Sequence, residues 1–218
     1  MKTKHIANIG FPRCGTTWLW HQLVRHPEIG PATYPKEDQI FLSKQNFLAY
    51  SKVYQDHDIS LNFDVELWSV DQELIKFVNS YATHISLILR DPYDFLERWH
   101  AWLDVNISNE EFIDQWIESK MICYADIVQR WLSIVGAEKF KVFLFEDLQQ
   151  NPKHFLLDYF EFCGVAVVDI ANCEVPQNQN PKKTHLTFTK KQHQIINSEI
   201  LKFQSVINKD LSHWFRTA

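Results

Sequence analysis

Residues 9–20 read IGFPRCGTTWLW. Gly10 and Gly15 are separated by four residues, and Thr16 and Thr17 follow at once. That is the spacing of a phosphate-binding loop, yet Thr16 stands where a nucleoside-triphosphate loop carries lysine. The nearby cation is Arg13, inside the loop. The preceding stretch, His5–Gly10, reads as a buried strand, and Thr16–Arg25 reads as a helix that stops before His26-Pro27. A strand, a glycine-bounded loop and a helix in that order aim backbone N–H groups and a helix N-terminus at an anion. The paired threonines add two hydroxyl donors in the first turn, so a phosphate or related anion is the expected ligand. Without lysine after the second glycine, and without an obvious acidic magnesium ligand, the loop is poorly equipped for γ-phosphoryl transfer. Glu146-Asp147 could imitate a Walker-B acid, but they come late in the chain.

Further segments follow the same pattern. His84–Leu89 (HISLIL) and Lys141–Phe145 (KVFLF) read as buried strands, with Ile59–Phe63 a weaker candidate. Helical patterns cover part of Glu37–Tyr54, then Asp71–Tyr81 behind an aspartate cap, and Pro92–Asp104, whose proline sits in the first turn where a missing N–H costs nothing. Ser108 opens another helix through a capping box with Glu111. Met121–Val135 and Pro152–Cys163 follow, the latter closed by Gly164. Val165–Leu186 reads as non-helical and leads to a last amphipathic run, Thr189–Phe215, with a break near Asp210. Apolar strands alternating with helices predict an α/β fold with a mainly parallel sheet, and 218 residues suit one domain over 1–218. Ligands of such sheets bind beyond the carboxyl ends of the strands. Gly10–Thr17 and Arg90–Asp94 each directly follow a strand and are expected at that edge.

Composition narrows the class. The chain is 45% hydrophobic and 22% charged, enough to bury a core. Aromatics make up 14%, so some are expected to line a pocket as well as the core. A net charge of −5 argues against general nucleic-acid affinity. Cys14, Cys123, Cys163 and Cys173 form no Cys-x-x-Cys pair and no zinc spacing, and the ten histidines include no His-Glu-x-x-His, so no metal is expected. The cysteines fit a reducing compartment. No stretch approaches the ~18 apolar residues of a membrane span. The start, MKTKHIANIGF, lacks a signal peptide's apolar region, so a cytoplasmic location is expected.

Three motifs together resemble a known family. FPRCGTTWL is similar to the 5′-phosphosulfate loop of sulfotransferases that use 3′-phosphoadenosine 5′-phosphosulfate (PAPS), with Arg13 for the usual lysine and Cys14 for serine. LILRDPYDFLERW resembles that family's 3′-phosphate motif, and KVFLFEDLQQNP its later strand and turn. They occur in the family's order, and the resemblance covers residues 5 to 164 well. It implies a P-loop NTPase-like sulfotransferase fold, PAPS as co-substrate and adenosine 3′,5′-bisphosphate (PAP) as product. It further implies that Arg13, Cys14, Gly15, Thr16, Thr17 and Trp18 hold the 5′ side of the nucleotide, and that Arg90 binds the 3′-phosphate. The family's 3′-phosphate serine is replaced by Arg98, which either supplies a stronger cation to that phosphate or points elsewhere. Relatives carry a basic segment in the region of Lys182 and Lys183, which touch phosphate or lie in a solvated loop.

An attacking hydroxyl must lose a proton, so a base is needed near the loop. YPKEDQIF, residues 34–41, resembles the Lys-Glu-x-x-x-Phe stretch of carbohydrate-type sulfotransferases. Glu37 would then be the base and Lys36 would lie beside the transferring sulfonate. His57 and His100 are the rival bases. The resemblance implies a hydroxyl-bearing small molecule or carbohydrate as acceptor. Two other classes stand beside this one: a P-loop kinase or ATPase, disfavoured by Thr16, and a non-catalytic nucleotide- or glycan-binding protein on the same fold.

Overall fold

The computed structural model describes residues 4–29, 59–103, 107–168 and 184–217. The elements in chain order are β1 (Lys4–Asn8), α1 (Thr16–Leu23), β2 (Ile59–Phe63), α2 (Gln72–Tyr81), β3 (His84–Leu89), α3 (Pro92–Leu103), α4 (Asn109–Glu118), α5 (Tyr124–Val135), β4 (Phe140–Leu144), α6 (Phe145–Gln150), α7 (Pro152–Cys163) and α8 (Lys190–Ile207). Short 3₁₀ turns lie at Leu67–Ser69 and Ser212–Trp214. The described strands form one sheet in the order β2-β1-β3-β4, and every pairing is parallel. The expected α/β class with a parallel central sheet and flanking helices is therefore the observed one.

The chain packs as two compact units, Met1–Leu89 with Trp131–Gln179, and Arg90–Arg130 with Asn180–Ala218. The first unit holds the sheet. Ile6, Ile85, Leu87 and Ile88 are buried, as strands covered on both faces require. Phe143 packs against Phe155 and Tyr159 of α7 at ring separations of 5.4 and 5.0 Å. Three buried polar side chains of β1, β3 and α7 form a chain of hydrogen bonds: Asn8 Nδ2 donates to Ser86 Oγ at 3.0 Å, and Ser86 Oγ meets the Tyr159 hydroxyl at 2.8 Å. In the second unit, Gln192 Nε2 of α8 donates to Asp114 Oδ1 of α4 at 2.8 Å, and Phe203 stacks on Trp214 at 6.0 Å.

Local signals explain the boundaries. Asp71 accepts the Leu74 N–H at 2.8 Å, Ser108 the Glu111 N–H at 3.2 Å and Asn151 the His154 N–H at 3.1 Å, each capping its helix. Gly164 ends α7 in the left-handed conformation, φ 59°. Two expectations shift. The strand expected over Lys141–Phe145 ends at Leu144, because Phe145 already opens α6 with Glu146 and Asp147 in its first turn, where the helix dipole favours acids. The last helix begins with a reciprocal capping box between Thr189 and Gln192, and ends at left-handed Asn208, two residues before the expected break. The helical reading of Glu37–Tyr54 lies outside the described residues.

Candidate anion-binding site

In the order β2-β1-β3-β4 the chain leaves β1 toward one neighbour and returns to the sheet on its other side. The carboxyl ends of β1 and β3 therefore mark the switch point at which such sheets bind ligands, and the loop of residues 10–15 starts there. The ladder to β3 continues past the end of β1: Ile9 N–H donates to Ser86 O at 2.9 Å and Phe11 N–H to Ile88 O at 3.1 Å. The side chain of Asn8 also reaches the loop, its Oδ1 accepting the Gly10 N–H at 3.3 Å.

Both loop glycines are demanded by the structure. Gly10 has φ 123°, and a Cβ there would lie 3.1 Å from the Val65 carbonyl oxygen. Asp64 holds that opposing turn: its N–H donates to Asn8 O at 3.0 Å, and its Oδ1 accepts the Glu66 N–H at 3.0 Å. Gly15 has φ 82°, and its Cβ would strike Leu148 Cδ2 at 2.7 Å and the Phe145 ring at 2.9 Å. Arg13 also adopts positive φ, 60°, a conformation uncommon for a side-chain-bearing residue.

Gly15 is the N-cap of α1 and supplies no side-chain cap, and the first turn contains no acidic residue. The first-turn N–H groups at the helix start have no intrahelical acceptors, and the dipole there is positive. Thr16 is buried and Thr17 half-buried in this turn, with the half-buried Arg13 two residues before Gly15. Cys14 is fully buried and not in a disulfide, and Trp18 is 3% exposed, set edge-on to Phe155 at 6.4 Å. Among the residues expected to bind the nucleotide, these two turn their side chains into the core.

Arg90 follows directly on Leu89, the last residue of β3, and its side chain is 2% exposed. Its Nη2 lies 2.6 Å from Asp94 Oδ2 in α3, and the same oxygen accepts from Arg98 Nε at 3.2 Å. Arg98 is one turn beyond Asp94 and 27% exposed, so one Asp94 oxygen joins Arg90, before the start of α3, to Arg98 within the helix. A guanidinium carries five N–H donors in a fixed planar fork, a geometry that suits a carboxylate or a phosphate. Asp94 was not singled out from the sequence, although its spacing of four to both arginines is a legible signal.

A second ionic group lies on α3. Arg216 Nη2 donates to Asp91 Oδ2 at 3.0 Å, and its Nη1 lies 3.5 Å from Glu97 Oε2. Burial pushes the Asp91 carboxyl up from its ordinary value, and the Arg216 guanidinium opposes that rise. Glu97 is 1% exposed; its carbonyl accepts the Thr184 N–H at 3.2 Å, and its Oε1 lies 3.4 Å from His185 Nδ1. No sequence signal linked residue 216 to residues 91 and 97. Lys182 and Lys183, just before Thr184, lie outside the described residues, as do Lys36, Glu37 and His57. His100, the other rival base, is half-buried and set edge-on to Phe112 at 4.7 Å. Among the described residues there is no group of acidic, histidine and cysteine side chains suited to a metal ion, and no helix long and apolar enough to cross a membrane.

Comparison with known proteins gives a consistent result. The sulfotransferase domain family matches residues 3–214. The fold is similar to a sulfotransferase from Alicyclobacillus acidocaldarius, at TM-score 0.74 and 19% identity, covering 99% of this chain and 100% of that one. It is also similar to the sulfotransferase domain of the Synechococcus PCC 7002 olefin synthase, at TM-score 0.62 and 14% identity, covering 96% of each chain. A third similar structure is mouse sulfotransferase SULT7A1 complexed with PAP, at TM-score 0.61 and 15% identity, covering 98% of this chain and 88% of that one. No curated protein matches by sequence.

Proposed function

The chain belongs to the sulfotransferase family and so transfers a sulfonate group, and we propose that its donor is PAPS and its acceptor a hydroxyl-bearing small molecule. A carbohydrate is the acceptor class favoured by the Lys36-Glu37 stretch. The observation that carries the donor is the start of α1: a glycine N-cap, no acidic side chain in the first turn, and Arg13 just before it. That combination suits a departing phosphate better than a γ-phosphate awaiting attack, because it offers fixed N–H donors and one cation and asks for no metal. The kinase reading is weakened by the sheet order. β4, which precedes Glu146 and Asp147, is separated from β1 by β3, so these acids do not follow a strand adjacent to that of the loop.

The chemistry assigns work to each residue. The acceptor oxygen attacks sulfur as the bond from sulfur to the bridging phosphate oxygen breaks, and the acceptor proton passes to Glu37. Arg13 stabilises the charge that grows on the bridging oxygen. Thr16, Thr17 and the first-turn amides hold the 5′-phosphate, with Gly15 and the backbone of Cys14 and Trp18 shaping the cradle. Arg90 and Arg98 bind the 3′-phosphate, with Lys182 and Lys183 as further phosphate contacts. PAP leaves as product.

A thermal-shift series with PAP, AMP and magnesium-ATP tests the donor, and transfer of labelled sulfonate from PAPS to a panel of hydroxyl acceptors tests the reaction. PAP at 100 times its dissociation constant should stabilise by about 2.7 kcal/mol. Stabilisation by magnesium-ATP with none by PAP would overturn the proposal.

A further inference from the structure

The row of buried hydrogen bonds from Tyr159 through Ser86 to Asn8 ends on the anion loop itself. We propose, on the reading of residues 10–17 as the 5′-phosphate site, that Asn8 is a positioning residue for that loop. It fixes the Gly10 N–H at the loop entrance, and Ser86 and Tyr159 act through it by holding its amide in one orientation.

As the loop leaves β1, Ile9 and Phe11 direct their N–H groups to β3, donating to Ser86 O at 2.9 Å and to Ile88 O at 3.1 Å. The Gly10 N–H between them goes to Asn8 Oδ1 instead, at 3.3 Å. That group can only donate, so the carbonyl end of the Asn8 amide must face it. The amide nitrogen then faces β3, where it donates to Ser86 Oγ at 3.0 Å. Turned over, the amide would set its NH₂ against the Gly10 N–H, donor against donor. Asn8 is 1% exposed and Ser86 is fully buried, so water could not relieve that mismatch. The Asn8 backbone carbonyl accepts the Asp64 N–H at 3.0 Å, so this one residue meets β3, the turn after β2 and the loop at once.

Ser86 decides whether that orientation holds. Its Oγ accepts from Asn8 while its own proton goes to the Tyr159 hydroxyl at 2.8 Å or to the Ala7 carbonyl at 3.4 Å. Tyr159 of α7 is fully buried, and burial pushes its phenol well above the ordinary value, so it meets Ser86 as a neutral hydroxyl. The three side chains are uncharged. They therefore act on phosphate through the shape of the loop and not through a charge of their own. Asn8→Ala removes the amide contacts and leaves the backbone groups of β1 in place.

Calorimetric titration of PAP, 5′-AMP and 3′-AMP into wild type, Asn8→Ala, Tyr159→Phe and the double variant tests the idea. Asn8→Ala should weaken PAP and 5′-AMP about fivefold each, the scale of one hydrogen bond, and leave 3′-AMP, which lacks the 5′-phosphate, within about twofold. Tyr159→Phe should weaken the same two ligands about threefold, because the amide is then held less firmly, and should add nothing in the Asn8→Ala background. Equal weakening of all three ligands by Asn8→Ala would mean a general loss of structure and overturn the proposal, as would losses that simply add in the double variant. Unchanged 5′-AMP binding in Tyr159→Phe overturns it too, and that variant, which removes a single hydroxyl, stays measurable if Asn8→Ala does not fold. A wild type that binds 3′-AMP as tightly as PAP would instead overturn the 5′-phosphate reading of the loop.

Discussion

Gly15→Ala isolates what the loop demands of its second glycine. The backbone there has φ 82°, which costs a non-glycine residue about 1–2 kcal/mol. The new methyl would also stand 2.7 Å from Leu148 Cδ2 and 2.9 Å from Phe145 Cε2, both well inside van der Waals contact. Leu148 is buried at 5% exposure, so it has little room to turn away, and overpacking of this kind adds about 1–3 kcal/mol. The sum, roughly 2–5 kcal/mol, corresponds to a fall of about 4–20 °C in Tm for a chain of this size. Gly136→Ala is the internal control. It has a similar φ of 87°, but the atoms nearest its Cβ belong to the end of the exposed Glu138 side chain, which can swing aside. It should lose the backbone part alone, roughly 2–8 °C. Thermal unfolding followed by circular dichroism measures both variants. Equal losses would refute the packing argument at Gly15, and no loss in either would refute the conformational one.

Arg13→Ala should lower turnover by the equivalent of ~2.7–4 kcal/mol while nucleotide affinity changes less, and Arg13→Lys should keep much of the rate; steady-state kinetics with unchanged kcat in Arg13→Ala would remove its role. Arg98→Ala should weaken PAP and leave AMP nearly unchanged in calorimetry, and equal weakening of both would mean that Arg98 does not read the 3′-phosphate. Burial lowers the pKa of His5 and, with help from Lys4 and Lys139, of His84 below the ordinary 6.5. The unfolded chain then binds more protons below that pH, so these groups make stability full above about 6.5 and reduce it as pH falls toward their folded values. The urea midpoint should therefore drop between pH 7.5 and 5.5, and His84→Gln should flatten the slope; a midpoint that rises on acidification contradicts the assignment.

The sequence by itself determined the elements and the loop. Period, caps and breakers act over a few residues, so HISLIL, the Asp71 and Ser108 caps and the Gly164 stop stand in the structure where they read in the chain. The glycine-bounded loop before α1 is legible for the same reason, and Arg90-Asp94-Arg98 would have been, since a spacing of four is a local rule. Even locally the reading slipped at Phe145, where an apolar residue suits a strand or a helix and the acids beside it favoured the helix start. Only the tertiary structure decided the order β2-β1-β3-β4, because parallel strands pair through crossovers whose destination no local pattern encodes. It also decided why Gly15 must lack a side chain, since the atoms that forbid one belong to Phe145 and Leu148, more than a hundred residues later. The partnership of Arg216 with Asp91 and Glu97 is of the same kind. Charges far apart in the chain carry no sign of their partners until packing removes the water between them and makes pairing necessary.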